Sequence, residues 1–374
     1  MNALSPSPRA PWRRIVTAPQ GLATPLAAVL AGCAVAILLA GQADAGPSVY
    51  LMNMVGQIAV YGLLAVALDL IWGYAGILSL GHGLYFAVGG YLIAMHLVTV
   101  AFQATGTPPD FMLFMGWKEL PFYYAGMGHL GYIAVLIVAV PALVAFLFGL
   151  VSFRSRVTGV YFAIITQALV YVAMLLFYRN DTGFGGNNGM TGFTEIAGQP
   201  LAGRATVAGL SAASMLAAAM ALFGLDRLVR SRFGHMLVAV RDDEARLRFL
   251  GYDTLWIKLT VWCVSAVLAA VAGALYVPQV GIVNPRLLSP ELSLEIAVWV
   301  AIGGRGTLVG AFLGAVLITT LKFLLTAWIP AVWPFILSVL VLLVVIQLPN
   351  GLADTAAFGG GVRRRIAAFR ERKI

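Results

Sequence analysis

The sequence predicts an all-α, polytopic transmembrane helix bundle of about ten spans, and three observations carry that prediction. Of its 374 residues, 61% are hydrophobic and only 10% are charged, whereas a soluble domain carries roughly 25% charged residues. The mean hydropathy is +0.91. The apolar residues gather in runs, most of them close to the ~20 residues that a helix needs to cross a bilayer. With so few charges, these runs face lipid or one another, and a backbone in hydrocarbon must satisfy its own polar groups, as a helix does.

In chain order, a polar, Pro-containing tail over 1–21 with Arg9, Arg13 and Arg14 precedes a transmembrane region over 22–348, and a basic tail follows over 349–374. Within the region, apolar runs cover about 22–41, 50–72, 83–103, 129–152, 157–178, 206–225, 257–278, 293–304, 306–328 and 331–348. The 293–304 run is short and ends on Gly303 and Gly304, which suits a half-helix or a broken span. Wetter loops lie at 104–128 and 180–204, and the longest charged segment is 226–255.

The formal charge of +9 does not point to nucleic acid, because the basic residues form no stripe interleaved with aromatics. They cluster in the N-terminal tail, at Arg154 and Arg156, over 226–258, and in the C-terminal tail from Arg363 to Lys373. Ten spans put all four clusters on one side. The positive-inside rule makes that side the cytoplasm, with both termini there. The two cysteines, Cys33 and Cys263, lie in apolar runs and imply neither a disulfide framework nor a metal site. Leu30 to Cys33 has the look of a lipoprotein cleavage box and Ala43 to Ala45 of a signal-peptidase site, but the first run is long enough to remain an anchor.

Gly306, Gly310 and Gly314 recur every fourth residue, so they are expected on one helix face where another backbone approaches closely, within the subunit or from a partner. No Gly-x4-Gly-Lys-Ser/Thr phosphate loop occurs, so no ATP or other cofactor site is expected in this chain. The charged segment reads as a short helix over 242–250. Asp242 is placed to cap its start and Gly251 to close its end in the left-handed conformation. Asp242 with Arg246, and Glu244 with Arg248, are acid-before-base pairs four residues apart, each contributing about 0.2–0.5 kcal/mol. Such a helix suits either contact with a cytoplasmic protein or a solvated loop.

Glu244, Ala245 and Gly251, with the run Arg241, Asp242, Asp243 and Glu244, resemble the cytoplasmic signature of permease subunits from binding-protein-dependent ABC importers, in the variant found among branched-chain amino-acid permeases, and these residues with Arg248 are the candidates for coupling to an ATPase. Arg246 stands where the broader pattern has an alanine, and the later Leu-Pro is absent. Asp69 to Gly83 and Val300 to Gly310 are similar to two further segments of that family. Pro109 to Met112, Trp117 to Pro121 and Gly183 to Gly189 resemble the urea-transport permeases, as the longer, second permease of the pair. The resemblance runs from about 50 to 352. It implies a coupling helix that docks on an ATPase, a second related permease, two cytoplasmic ATPases, a periplasmic binding protein, and a bacterial inner-membrane location in contact with lipid. ATP hydrolysis falls to the partners, and this chain is not itself an enzyme. Branched-chain amino acids or short amides are the alternative substrates, and a stand-alone channel or ion-coupled carrier is the rival class.

A neutral solute needs hydrogen-bonding groups along its path, for which Asn53, Gln57, Ser79, His82 and Gln167 are the candidates beside ordinary helix-packing roles. His82, between two glycines, is the most unusual. No nucleophile elbow accompanies Ser79 and His82 to suggest a hydrolase. Charges at membrane depth cost roughly 2.5–3.5 kcal/mol. Asp69, Glu295 and Lys322 are therefore expected to face a cavity or a partner, or else Asp69 to lie at the cytoplasmic interface, Glu295 at the outer one, and Lys322 to snorkel on its long stem.

Overall fold

The computed structural model describes residues 22–43, 46–329, 335, 336, 338 and 339. Both tails and most of the 331–348 run lie outside these residues. Among the described residues there are eleven α-helices: α1 (Ala23–Gln42), α2 (Val49–Asp69), α3 (His82–Thr105), α4 (Asp110–Met115), α5 (Leu130–Arg154), α6 (Gly159–Phe177), α7 (Arg204–Arg230), α8 (Arg232–Phe249), α9 (Thr254–Val280), α10 (Pro290–Gly303) and α11 (Leu308–Trp328). Their ends carry local signals. Ser48 accepts a hydrogen bond from the Leu51 amide, Asp253 from Leu255 and Ser289 from Leu292. Gly106, Gly116 and Gly281 close α3, α4 and α9 in the left-handed conformation.

Eight of the helices are long and apolar enough to cross a bilayer: α1, α2 with its terminal turn to Tyr74, α3, α5, α6, α7, α9 and α11. The expected eighth span, α10, has 14 residues. At 1.5 Å per residue it covers about two thirds of a ~30 Å hydrocarbon core, so it is a half-helix. The expected tenth lies outside the described residues.

Burial sets the layers. In the most apolar stretch of α2 and of α3, 83% of residues are buried, against 22% in α5 and α6 and 17% in α1. The centre is thus α2 and α3, with α9 packed on both. Gly89 and Gly273 make the α3–α9 crossing close, since a Cβ on either would overlap the Ala270 or Phe86 carbonyl. α1 packs along α7, while α10 and α11 pack together and against α2. Gly310 and Gly314 face the main chain of Gly303 and Trp299, so this small-residue face is used inside the subunit. Gly306 is not on that face: it precedes α11 in a turn, with φ +80°.

The bundle has two unlike ends. One gathers the ends of α2, α5 and α7, all of α8, the start of α9 and the 304–307 turn. There the Lys258 ammonium lies over the Phe153 ring and Arg241 reaches Gly73. It carries most of the basic residues between spans, while Lys118, Arg179, Arg204 and Arg286 lie at the other end, and it is called the basic end below. At the other, the segments 106–129, 180–203 and 281–289 form a cap. This cap holds α4, short 3₁₀ turns and a two-stranded antiparallel hairpin, β1 (Glu195–Ile196) with β2 (Gln199–Pro200). The expected loops at 104–128 and 180–204 are therefore folded against one another. Tyr123 donates to the Thr182 carbonyl at 2.6 Å and Tyr124 to that of Gly183 at 2.7 Å. Phe184 stacks on Phe177.

Candidate functional site

The basic end holds the charged segment. α7 runs on to Arg230, and α8 begins one residue later, capped by Ser231. The segment is therefore the second half of α8 and not an isolated helix over 242–250. Inside α8 the backbone breaks at Asp243, whose φ of −159° and ψ of 89° are extended. Asp243 then acts as the cap of the last turn, accepting from the Arg246 amide at 3.0 Å. This corrects the expected cap, Asp242, which instead accepts from Arg241 Nε at 3.2 Å. The expected Asp242–Arg246 pair is replaced by Asp243–Arg246 at 3.4 Å for the same reason: the break turns Asp242 away from the turn that follows. The turn ends at Gly251, with φ +88° and its amide donating to the Arg248 carbonyl at 2.9 Å. A side chain there would be strained.

One carboxylate fixes this turn to the membrane helices. Glu244 Oε1 accepts from Arg248 at 2.6 Å, from Lys258 Nζ at 2.7 Å and from Thr254 Oγ1 at 2.8 Å. Partial burial alone pushes the Glu244 carboxyl up, but the bonds from Lys258, Thr254 and Arg248 and the Lys258 charge outweigh it and hold it below the ordinary carboxylate range. Leu247 is buried beneath the turn. Phe249 (92% exposed), Leu250 (70%) and Tyr252 (50%) face outward with Trp256. Ala245 lies exposed on the same turn. The result is a rigid, capped turn that presents apolar side chains beyond the basic end. Lys258 was grouped with the basic residues in the sequence. Its role as the buried partner of Glu244 depends on α9 returning beside α8, and the pattern of charges alone does not reveal it.

The candidate path residues do not form one site. His82 opens α3 inside the bundle. Ser265 donates its hydroxyl to the Ala67 carbonyl, so its oxygen accepts from His82 Nε2 at 2.8 Å. That places the proton on Nε2 and leaves Nδ1 to accept from Ser79 Oγ at 3.2 Å. Ser79 and His82 are thus buried and satisfied by each other and by α9. Thr166 beside Gln167 holds the same stretch by accepting from the Leu80 amide at 3.1 Å. Asn53 belongs to a separate group, donating to the Gln279 carbonyl at 2.7 Å, while the Gln279 amide reaches Ser214 at 2.8 Å. Gln57 and Gln167 are half-buried.

The charged residues of the apolar runs each have a partner. Asp69 is fully buried and accepts from the Gly306 amide at 2.7 Å. Lys322, which was open to snorkelling, is instead held by Glu295: Nζ donates to both Glu295 oxygens, at 2.8 and 2.9 Å. Pairing removes the main cost of holding either charge at depth. Among the described residues, no group of three His, Cys, Asp or Glu could hold a metal ion.

A bundle with eight helices long and apolar enough to cross a bilayer is the fold of a polytopic membrane protein. Residues 50–346 match the family described as branched-chain amino acid transport system / permease component, and the chain belongs to that family. It is similar to the high-affinity branched-chain amino acid transport system permease protein LivM of Salmonella typhimurium, 27% identical over 290 residues, 71% of this chain and 61% of the relative. It is also similar to the LivH permease of Escherichia coli K12, 22% identical over 305 residues, 79% of this chain and 91% of that protein. The autoinducer 2 import system permease protein LsrC of Klebsiella pneumoniae is 32% identical over 183 residues, 44% of this chain and 53% of LsrC. The chain spans about three fifths of the length of the LivM proteins it matches. No solved structure matches it.

Proposed function

We propose that this chain is a permease subunit of a bacterial ABC importer, forming part of a translocation path driven by ATP hydrolysis on separate subunits. The observation that carries the reading is the Glu244-anchored turn at the basic end of a family permease, with Phe249 and Leu250 facing outward. In this reading the basic end is cytoplasmic, as the positive-inside rule requires. The turn over 243–250 docks on an ATPase, a second permease completes the path, and a periplasmic binding protein meets the opposite cap. The chain sits in the inner membrane, and both of its termini are cytoplasmic. Alternating access then comes from motion of the turn passed to the membrane helices.

Urea is the proposed substrate, supported by the 109–121 and 183–189 segments, which meet in the cap. A second reading, branched-chain amino acids, is favoured by the names of the LivM and LivH relatives. Uptake of labelled urea at low concentration, in cells with and without this chain and with leucine as competitor, separates them. Loss of urea uptake that leucine does not compete for supports urea. Loss of leucine uptake with intact urea uptake moves the chain to the amino-acid branch. If neither changes, the importer reading fails for both.

A further inference from the structure

The coupling turn is wired to the centre of the membrane domain by residues that the docking role does not require. Just before the break at Asp243, Arg241 donates from a guanidinium nitrogen to the Gly73 carbonyl at 2.7 Å. Gly73 lies in a π-helical turn, Leu70–Tyr74, that ends the central helix α2. Such turns often mark functional positions. One turn earlier, Asp69 Oδ1 accepts from the amide of Gly306, in the turn that joins α10 to α11. The Arg305 guanidinium lies over the Trp72 ring at 5.6 Å, tying the same two elements. The fit is close, because a Cβ on Gly73 would overlap both Asp69 Oδ1 and the Gly306 amide. Asp69 Oδ2 is buried with no hydrogen bond. An apolar side chain at 69 would remove that unsatisfied oxygen but leave the Gly306 amide without its acceptor. What this position needs is a side-chain acceptor aimed at the 304–307 turn.

We propose that Arg241, Asp69 and the Gly306 amide form a latch that makes the coupling turn, the end of α2 and the α10–α11 turn move as one body. It rests on the importer reading, and it assigns Asp69 and Arg241 as positioning residues for transport. Arg241 carries displacement of the turn to α2, and Asp69 carries it on to the half-helix α10 and to α11.

The test uses proteoliposomes holding the complete transporter, comprising this chain, its partner permease, the ATPases and the binding protein. The readout is labelled urea, or leucine, taken up per ATP hydrolysed. A wild-type complex without ATP-driven uptake overturns the importer reading itself. With wild-type uptake present, Arg241→Ala lowers uptake per ATP by about tenfold or more, the scale of a lost charge-assisted hydrogen bond. Arg241→Lys, which still offers a donor, recovers a large part. Asp69→Leu has the same effect as Arg241→Ala, whereas Asp69→Asn, which keeps an acceptor for the Gly306 amide, stays near wild type. The double variant is no worse than the worse single one, since both break one series linkage. The latch is overturned by wild-type uptake per ATP in Arg241→Ala, or by Asp69→Asn failing as completely as Asp69→Leu. Should Asp69→Leu not insert, Arg241→Ala at the basic end decides alone.

Discussion

The two ends of the bundle are held in opposite ways. The cap is closed by aromatic packing, Phe184 on Phe177 with Tyr91 and Tyr123 beside it, and by phenol bonds to main-chain carbonyls. The basic end is held by a few directional, charged links: three onto Glu244 Oε1, one from Arg241 to the Gly73 carbonyl, and one from the Gly306 amide to Asp69. Aromatic packing is spread over many contacts and tolerates the loss of one. A converging charge network passes displacement along and fails when one member is removed. The end built from the second kind of contact is the one that a motor would push.

The largest expected effect breaks that network. Glu244→Ala leaves the Lys258 ammonium, 3% exposed, without its carboxylate. Removing one partner of a fully buried pair costs about 3–5 kcal/mol, and the partial exposure of Glu244 puts this pair at or below the low end of that range. Thermal unfolding of the purified chain in detergent is expected to show a clear loss, and the double variant Glu244→Ala with Lys258→Met to recover most of it. No recovery would mean that the pair does not carry the anchoring.

Next is the pair at membrane depth. Glu295→Ala strands Lys322, at a cost of about 2.5–3.5 kcal/mol, and Glu295→Leu with Lys322→Leu restores the yield of inserted protein. A lower yield in the double variant than in the single would show that the pair serves more than charge neutralisation.

At the cap, Tyr123→Phe with Tyr124→Phe removes two hydrogen bonds worth about 1 kcal/mol each. The melting temperature falls slightly and uptake per ATP is unchanged. A change in that ratio would erase the contrast between the ends.

The smallest effect is one of pH. Glu244 is held below the ordinary carboxylate value of ~4.3. The pairing is therefore fully present above that value and is lost only as pH falls through the lower folded-state value. Association with the ATPases at pH 5 should match that at pH 7, and a loss between them would assign the carboxylate a higher value.

How much was legible in the sequence follows from what each feature depends on. The spans depend on local apolar runs, and eight appear at the expected places. The half-helix α10 follows from its length and from Gly303. The left-handed close at Gly251 and the Glu244–Arg248 pair are local and readable from spacing. The break at Asp243 was not, because among Arg241, Asp242 and Asp243 the choice of cap depends on Arg241 being tied to Gly73, 168 residues away. Ser265, bonded to His82, and Gly306, bonded to Asp69, lie 183 and 237 residues off, and only the fold brings them together. For the same reason the five candidate path residues, chosen by polarity alone, fall into separate groups.

The central claim is tested most directly by photo-crosslinking from the two ends. A photoreactive residue is placed at Phe249, 92% exposed at the basic end, or at Phe122, 89% exposed at the cap, in membranes containing the whole transporter. The account predicts adducts with an ATPase subunit from position 249 and with the binding protein, but no ATPase, from position 122. ATPase adducts from 122, or none from 249 in membranes that transport, would contradict it.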